Sequence, residues 1–123
     1  MKNQAYRMAM LFDFYGDLLT ERQREFYDLY YNEDLSLAEI AENYGISRQG
    51  VRDVIVRAEA AMTEIEDKTH IIRRFQQSRT AIAAIRGAAD QLLESIDRRS
   101  YSDASLDQIA RTIKENVAKL EQE

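Results

Sequence analysis

Apolar residues recur three and four positions apart along most of the chain, the spacing of helices that bury one face. Met8, Leu11, Phe12 and Tyr15 mark a first helix over Ala5 to Tyr15, ending near Gly16. Thr20 with Gln23 three residues later is a capping box, in which side chain and backbone exchange hydrogen bonds at a helix start. It opens a second helix whose Phe26, Leu29 and Tyr30 face one way and which ends at the Asn32-Glu33-Asp34 turn. Ser36 with Glu39 repeats the box and starts a short third helix through Tyr44. Gly45 stops it, because glycine takes the left-handed conformation at little cost. Ser47 caps a fourth helix with Val51, Val54, Ile55, Ala58, Met62 and Ile65 on its buried side.

The pattern then changes. Phe75, Ser78, Ile82, Ile85, Ala89, Leu92 and Ile96 alternate spacings of three and four, a heptad-like seam that Ile71 extends backwards. The Arg98-to-Asp103 stretch reads as a polar turn. A last helix carries Leu106, Ile109, Ile113, Val117 and Leu120, with Ser105 and Gln108 as its capping box. The two long helices are expected to fold back as an antiparallel hairpin or to pair with another chain, and leftover apolar surface would favour a homodimer. Nothing between Val51 and Ser78 forces a break, so the fourth and fifth helices are expected to be able to run as one rod. The resulting division is a domain over 1–68 and a helical hairpin over 69–123.

Composition supports helices throughout. The chain has no proline and 4 glycines in 123 residues, which argues against sheets joined by tight turns, and the abundant Ala, Glu, Arg and Leu favour helix. No cysteine is present, so disulfides, thiolate nucleophiles and cysteine-ligated zinc are excluded. The fold class is all-α. No apolar run is long enough for a signal-peptide core or a membrane span, and a cytoplasmic location without membrane insertion is expected. The formal charge of −5 counts against nucleic acid as a partner, since such domains are basic on at least one face.

Leu37 to Val56 is the most specific segment: a short helix, a glycine turn and a second helix. A helix-turn-helix needs a small residue where its helices cross, which Ala41 provides, and a backbone that can turn four residues later, which Gly45 provides. Ile40, Ile46, Val51 and Val54 fall where apolar side chains pin the two helices together. Such a unit presents the N-terminal residues of its second helix to the major groove. Here those are Ser47, Arg48, Gln49 and Arg52, with Arg57 further along. Arginine can bind guanine through two hydrogen bonds and glutamine can do so with adenine, while the helix N-terminus with Ser47 could hold a phosphate. Against this, Thr20 to Ile46 carries two arginines and seven carboxylates. A three-arginine footprint in that setting would bind duplex DNA weakly and lose it quickly with salt.

These residues carry a resemblance. Leu18-Leu19-Thr20-Glu21-Arg22-Gln23-Arg24, Leu29-Tyr30-Tyr31, Ser36-Leu37-Ala38-Glu39-Ile40-Ala41, Ser47-Arg48-Gln49, Arg57-Ala58-Glu59 and Glu66-Asp67-Lys68 leading to Phe75 resemble the YlxM family of small bacterial proteins. The likeness covers roughly residues 5 to 76, and the same region looks like region 4 of sigma factors. Gly50 and Arg52 depart from the family, which usually has alanine and an aromatic residue or histidine there. The resemblance implies a regulatory protein linked to the signal recognition particle, with the particle's GTPase Ffh and its RNA as candidate partners. The expectation is therefore a non-enzymatic regulator docking through Ser47, Arg48, Gln49, Arg52 and Arg57. The alternatives are a DNA-binding transcription regulator using the same residues and a protein-only adaptor.

Other candidates carry less. His70 is the single histidine and is expected to be solvated rather than a ligand or general base. Glu64, Glu66 and Asp67 spread around a helix and read as a solvated face, so no metal or cofactor is expected. Phe26, Tyr27, Tyr30 and Tyr31 cannot all face a single core surface, so Tyr27 or Tyr31 should be partly exposed. Packing between helices explains them better than stacking on RNA bases.

Overall fold

The computed structural model describes residues 5–122, and the described residues form helices with no strand. Six α-helices follow in order: α1 (Ala5–Tyr15), α2 (Glu21–Tyr31), α3 (Leu37–Tyr44), α4 (Arg48–Thr69), α5 (Ile71–Asp97) and α6 (Asp103–Glu121), with a 3-10 turn over Gly16–Leu18 after α1. The chain divides into two compact units, Met1–Ile72 and Arg73–Glu123.

In the first unit the expected caps form. The Thr20 hydroxyl accepts from the Gln23 N–H at 3.2 Å while the Gln23 side chain accepts from the Thr20 N–H at 3.1 Å. Ser36 and Glu39 make the same exchange at 3.1 and 3.2 Å. Each box satisfies backbone donors that a helix start leaves without intrahelical partners. The core joins Met8, Leu11 and Tyr15 of α1 to Phe26, Tyr27 and Tyr30 of α2, Ile40 and Ala41 of α3, and Val51, Ile55, Ala58 and Met62 of α4. Burying a large apolar side chain contributes about 1.5–3 kcal/mol, so this cluster is what holds the short α3 in place.

The aromatic run on α2 resolves because that helix is covered on several sides. Tyr27 is fully buried, stacks on Phe12 with ring centroids 5.2 Å apart, and donates its hydroxyl to the Met8 carbonyl at 2.7 Å. Phe26 meets the Tyr44 ring edge-on at 4.8 Å. Tyr31 is the partly exposed member, and its hydroxyl donates to Glu59.

The structure corrects the single rod. α4 ends at Thr69, and His70 follows in the left-handed conformation at φ 55°, a region in which histidine is enriched among non-glycine residues. The Glu66 carboxylate accepts from the Ile72 N–H at 2.9 Å, taking up a donor at the start of α5, and also accepts from the Tyr15 hydroxyl. Tyr15 lies 3.2 Å from the Thr69 hydroxyl as well. Glu66 is thus not part of a solvated acidic face: it is half-buried and caps a new helix.

The second unit is the helical hairpin of α5 and α6. Ser78 and Ala81 share one cleft with Asn116 and Leu120, and Gln91 and Ser95 share another with Ser105 and Ile109, so the helices run antiparallel. Its seam differs from the heptad expected. The buried positions are Ala81 and Ala88, with Ser78, Ile85, Leu92 and Ser95 half-covered, while Phe75, Ile82, Ala89 and Ile96 are exposed. Alanine lets helices approach closely, and the covered seam runs along those small side chains. On α6, Ile109 and Asn116 are buried and Val117 is exposed. The Asn116 amide is satisfied by the Thr112 carbonyl at 2.8 Å. The cap of α6 is also earlier than expected: Ser102 and Ser105, not Ser105 and Gln108, form the box.

Candidate nucleic-acid interface

α3 and α4 meet through the turn Gly45-Ile46-Ser47. Gly45 sits at φ 66°, and its N–H and that of Ile46 both reach the Ala41 carbonyl, the latter at 3.1 Å. Ala41 is buried, Ile46 is half-buried against the core, and Val51 is fully buried. A left-handed residue here reverses the chain within three positions, so that α4 begins with its first turn projecting from the domain.

Ser47, Arg48, Gln49, Arg52 and Arg57 are all exposed. Arg48 and Arg52, four residues apart, lie on one face of α4. Gln49 lies beside them but its amide donates to Asp53 at 2.9 Å, so adenine recognition would require that bond to be exchanged. Asp53 is the one carboxylate among the arginines of Ser47 to Arg57, and its position four residues after Gln49 makes this bond legible in the sequence. Arg57 is not brought to this group: five residues beyond Arg52, it points about 140° further round the helix.

The Ser47 hydroxyl accepts from the Gly50 N–H at 2.9 Å, and the Ser47 carbonyl accepts from the Val51 N–H at 3.1 Å. That leaves the N–H groups of Arg48 and Gln49 as the open donors of the helix start. Together with the Arg48 and Arg52 guanidinium groups they form a small site suited to an anion such as a phosphate. The neighbouring helices carry the opposite sign. Glu39 is engaged in the α3 cap, Asp28 accepts from Asn32 at 2.7 Å, and Asp17 pairs with Arg24 at 3.0 Å. Tyr44 donates to Glu25, which with burial raises the phenol's pKa. Apart from the Asp17 pair these partners are neutral, so most of the negative charge of α2 and α3 stands. A cation-lined footprint two arginines wide thus projects from an acidic body.

Among the described residues, no cluster of His, Asp and Glu is arranged to hold a metal ion, and no helix is long and apolar enough to cross a membrane.

The chain has relatives of known sequence. A family model described as "Putative helix-turn-helix protein, YlxM / p13 like" matches residues 2–104, from α1 through α5. A UPF0122 protein of Shouchella clausii is 45% identical over 97 residues, spanning 77% of this chain and 89% of the relative. One from Halalkalibacterium halodurans is 42% identical over 106 residues, spanning 79% and 97%. One from Desulforamulus reducens is 45% identical over 80 residues, spanning 65% and 68%.

Proposed function

Because the chain belongs to the YlxM / p13-like helix-turn-helix family, we propose that it is a non-enzymatic regulatory protein that docks nucleic acid through the first turns of α4, in the cytoplasm. The observation that carries this reading is the pairing of Arg48 and Arg52 on one exposed face beside the open N–H groups of Arg48 and Gln49. The partner implied by the family resemblance is the signal recognition particle, through its RNA or Ffh. Shape, two guanidinium groups and helix-end donors suit a bent RNA backbone better than a long duplex, whose phosphates would approach the acidic α2 and α3.

A second reading, the protein-only adaptor, is favoured by the Gln49–Asp53 bond and the surrounding carboxylates. The test is fluorescence anisotropy of labelled signal-recognition-particle RNA and of random duplex DNA across a salt series, with wild type and an Arg48→Ala, Arg52→Ala variant. Particle RNA should bind well above duplex, and the variant should lower the slope of log affinity against log salt by about two. Preference for duplex DNA would replace this reading with the transcription regulator. Binding to neither leaves the adaptor, for which co-sedimentation with Ffh is the direct probe.

A further inference from the structure

The hairpin of α5 and α6 is polar on one face and apolar on the other. At five covered positions, Ala81, Ala88, Ser95, Ile109 and Asn116, the preceding residue is polar or glycine: Thr80, Gly87, Glu94, Gln108 and Glu115. The residue that follows each of these five is apolar: Ile82, Ala89, Ile96, Ala110 and Val117. One residue is about 100° of helix rotation, so the second set stands roughly a quarter turn from the seam. In an antiparallel pair the reversal of direction and the reversal of the inward face cancel. Both stripes therefore emerge on the same side of the hairpin. Ile82 is 47% exposed, Ile96 55% and Val117 39%, with Phe75 and Leu93 exposed beside them.

Charge decides what covers this face. Beyond the apolar stripe of α5, its outer edge carries Arg79 and Arg86 in the first half and Asp90 and Asp97 in the second. No Asp or Glu occurs between Ile71 and Ala89, and Glu94 adds to the acidic half. Arg86, Asp90 and Asp97 enter no ion pair among the described residues. Arg79 lies over the Phe75 ring.

We infer that this face seats a second copy of the same chain, with the two α5 helices antiparallel about a two-fold axis that crosses α5 near Ala88 and Ala89. That operation sets Arg79 opposite Asp97 and Arg86 opposite Asp90 of the other copy, twice each. It also sets Ile82 opposite Ile96 and Ile85 opposite Leu92. Apolar and charged rows become complementary together about the same centre, as an isologous interface requires. The other two-fold stacking of the same faces, with its axis along the helices, places basic end on basic end. The result is a four-helix bundle of two hairpins, packed as such bundles are. It stands independently of what the helix-turn-helix binds.

Sedimentation velocity of the full chain over a dilution series tests it. The wild type should be a concentration-dependent dimer. Arg86→Glu and Asp90→Arg should each weaken it about tenfold or more, since each turns two attractions into two repulsions. The combined R86E/D90R variant should recover affinity to within a few-fold. Because the chain lacks cysteine, a mixture of Ile82→Cys and Ile96→Cys proteins should form a crossed disulfide under mild oxidation. This second readout does not depend on the charge variants folding, which circular dichroism checks. A wild type that stays monomeric overturns the inference. So does a dimer in which the charge swap fails to rescue and the Ile82–Ile96 disulfide does not form.

Discussion

Replacing Glu66 by alanine should destabilise the first unit by about 2–4 kcal/mol. Its carboxylate accepts from the Tyr15 hydroxyl and from the Ile72 N–H, both at the same oxygen. Hydrogen bonds to a charged acceptor contribute about 1.5–3 kcal/mol each. Glu66 is only half-buried, which places the bonds at the lower end, and Tyr15 keeps the Thr69 hydroxyl as a neighbour. The Ile72 N–H also approaches the Tyr15 hydroxyl, but a neutral hydroxyl is a weaker acceptor than the carboxylate, and Ile72 is buried. Glu66→Gln keeps an oxygen in place and loses only the charge, a cost of about 1 kcal/mol. Tyr15→Phe should cost a similar amount, and combining it with Glu66→Ala should fall short of additivity, because both remove one shared bond. Urea unfolding followed by near-ultraviolet circular dichroism is the assay, since six of the 7 tyrosines lie within residues 1–72. If Glu66→Ala costs less than about 0.5 kcal/mol, or the two changes simply add, the carboxylate does not hold the joint between α4 and α5.

Two glycines should respond in opposite directions. Gly45→Ala meets no atom within 4 Å but must hold φ near 66°, so a loss of about 1–2 kcal/mol is expected from conformation alone; an unchanged midpoint would contradict the left-handed turn. Gly87→Ala, in mid-helix and open space, should gain about 0.5–1 kcal/mol in thermal or urea melts, and a loss would mean the site is crowded. Burial raises the phenol pKa values of Tyr27 and Tyr31, with the nearby Glu59 adding to both. The native state therefore holds these protons more tightly than the unfolded chain, so their contribution to stability is intact below the ordinary tyrosine value of about 10 and declines as pH rises beyond it. Helix loss and tyrosinate absorbance should then appear together in an alkaline titration. Two phenols ionising at the ordinary value with the helices intact would refute this.

Local signals made much of the fold legible from sequence. Capping boxes at Thr20 and Ser36 join residues three apart, and the stop at Gly45 and the cap at Ser47 are equally local, so the starts of α2, α3 and α4 and the helix-turn-helix needed no tertiary information. The exposure of Arg48 and Arg52 was legible for the same reason, from their phase against Val51 and Ile55. What α2 does with four neighbouring aromatic residues was not, because covering Phe26, Tyr27 and Tyr30 together requires α1, α3 and α4 to close around one helix. Nor was the break at His70, which depends on Glu66 reaching Tyr15, 51 positions away. Gln49's engagement with Asp53 is local in sequence, yet its choice over solvent is a matter of side-chain geometry. The hairpin shows the division most plainly. Period alone marks an apolar stripe on α5 wide enough for either Ala81 and Ala88 or Ile82 and Ala89 to face inward. Close packing against α6 selected the alanines, and that choice left the larger side chains outside.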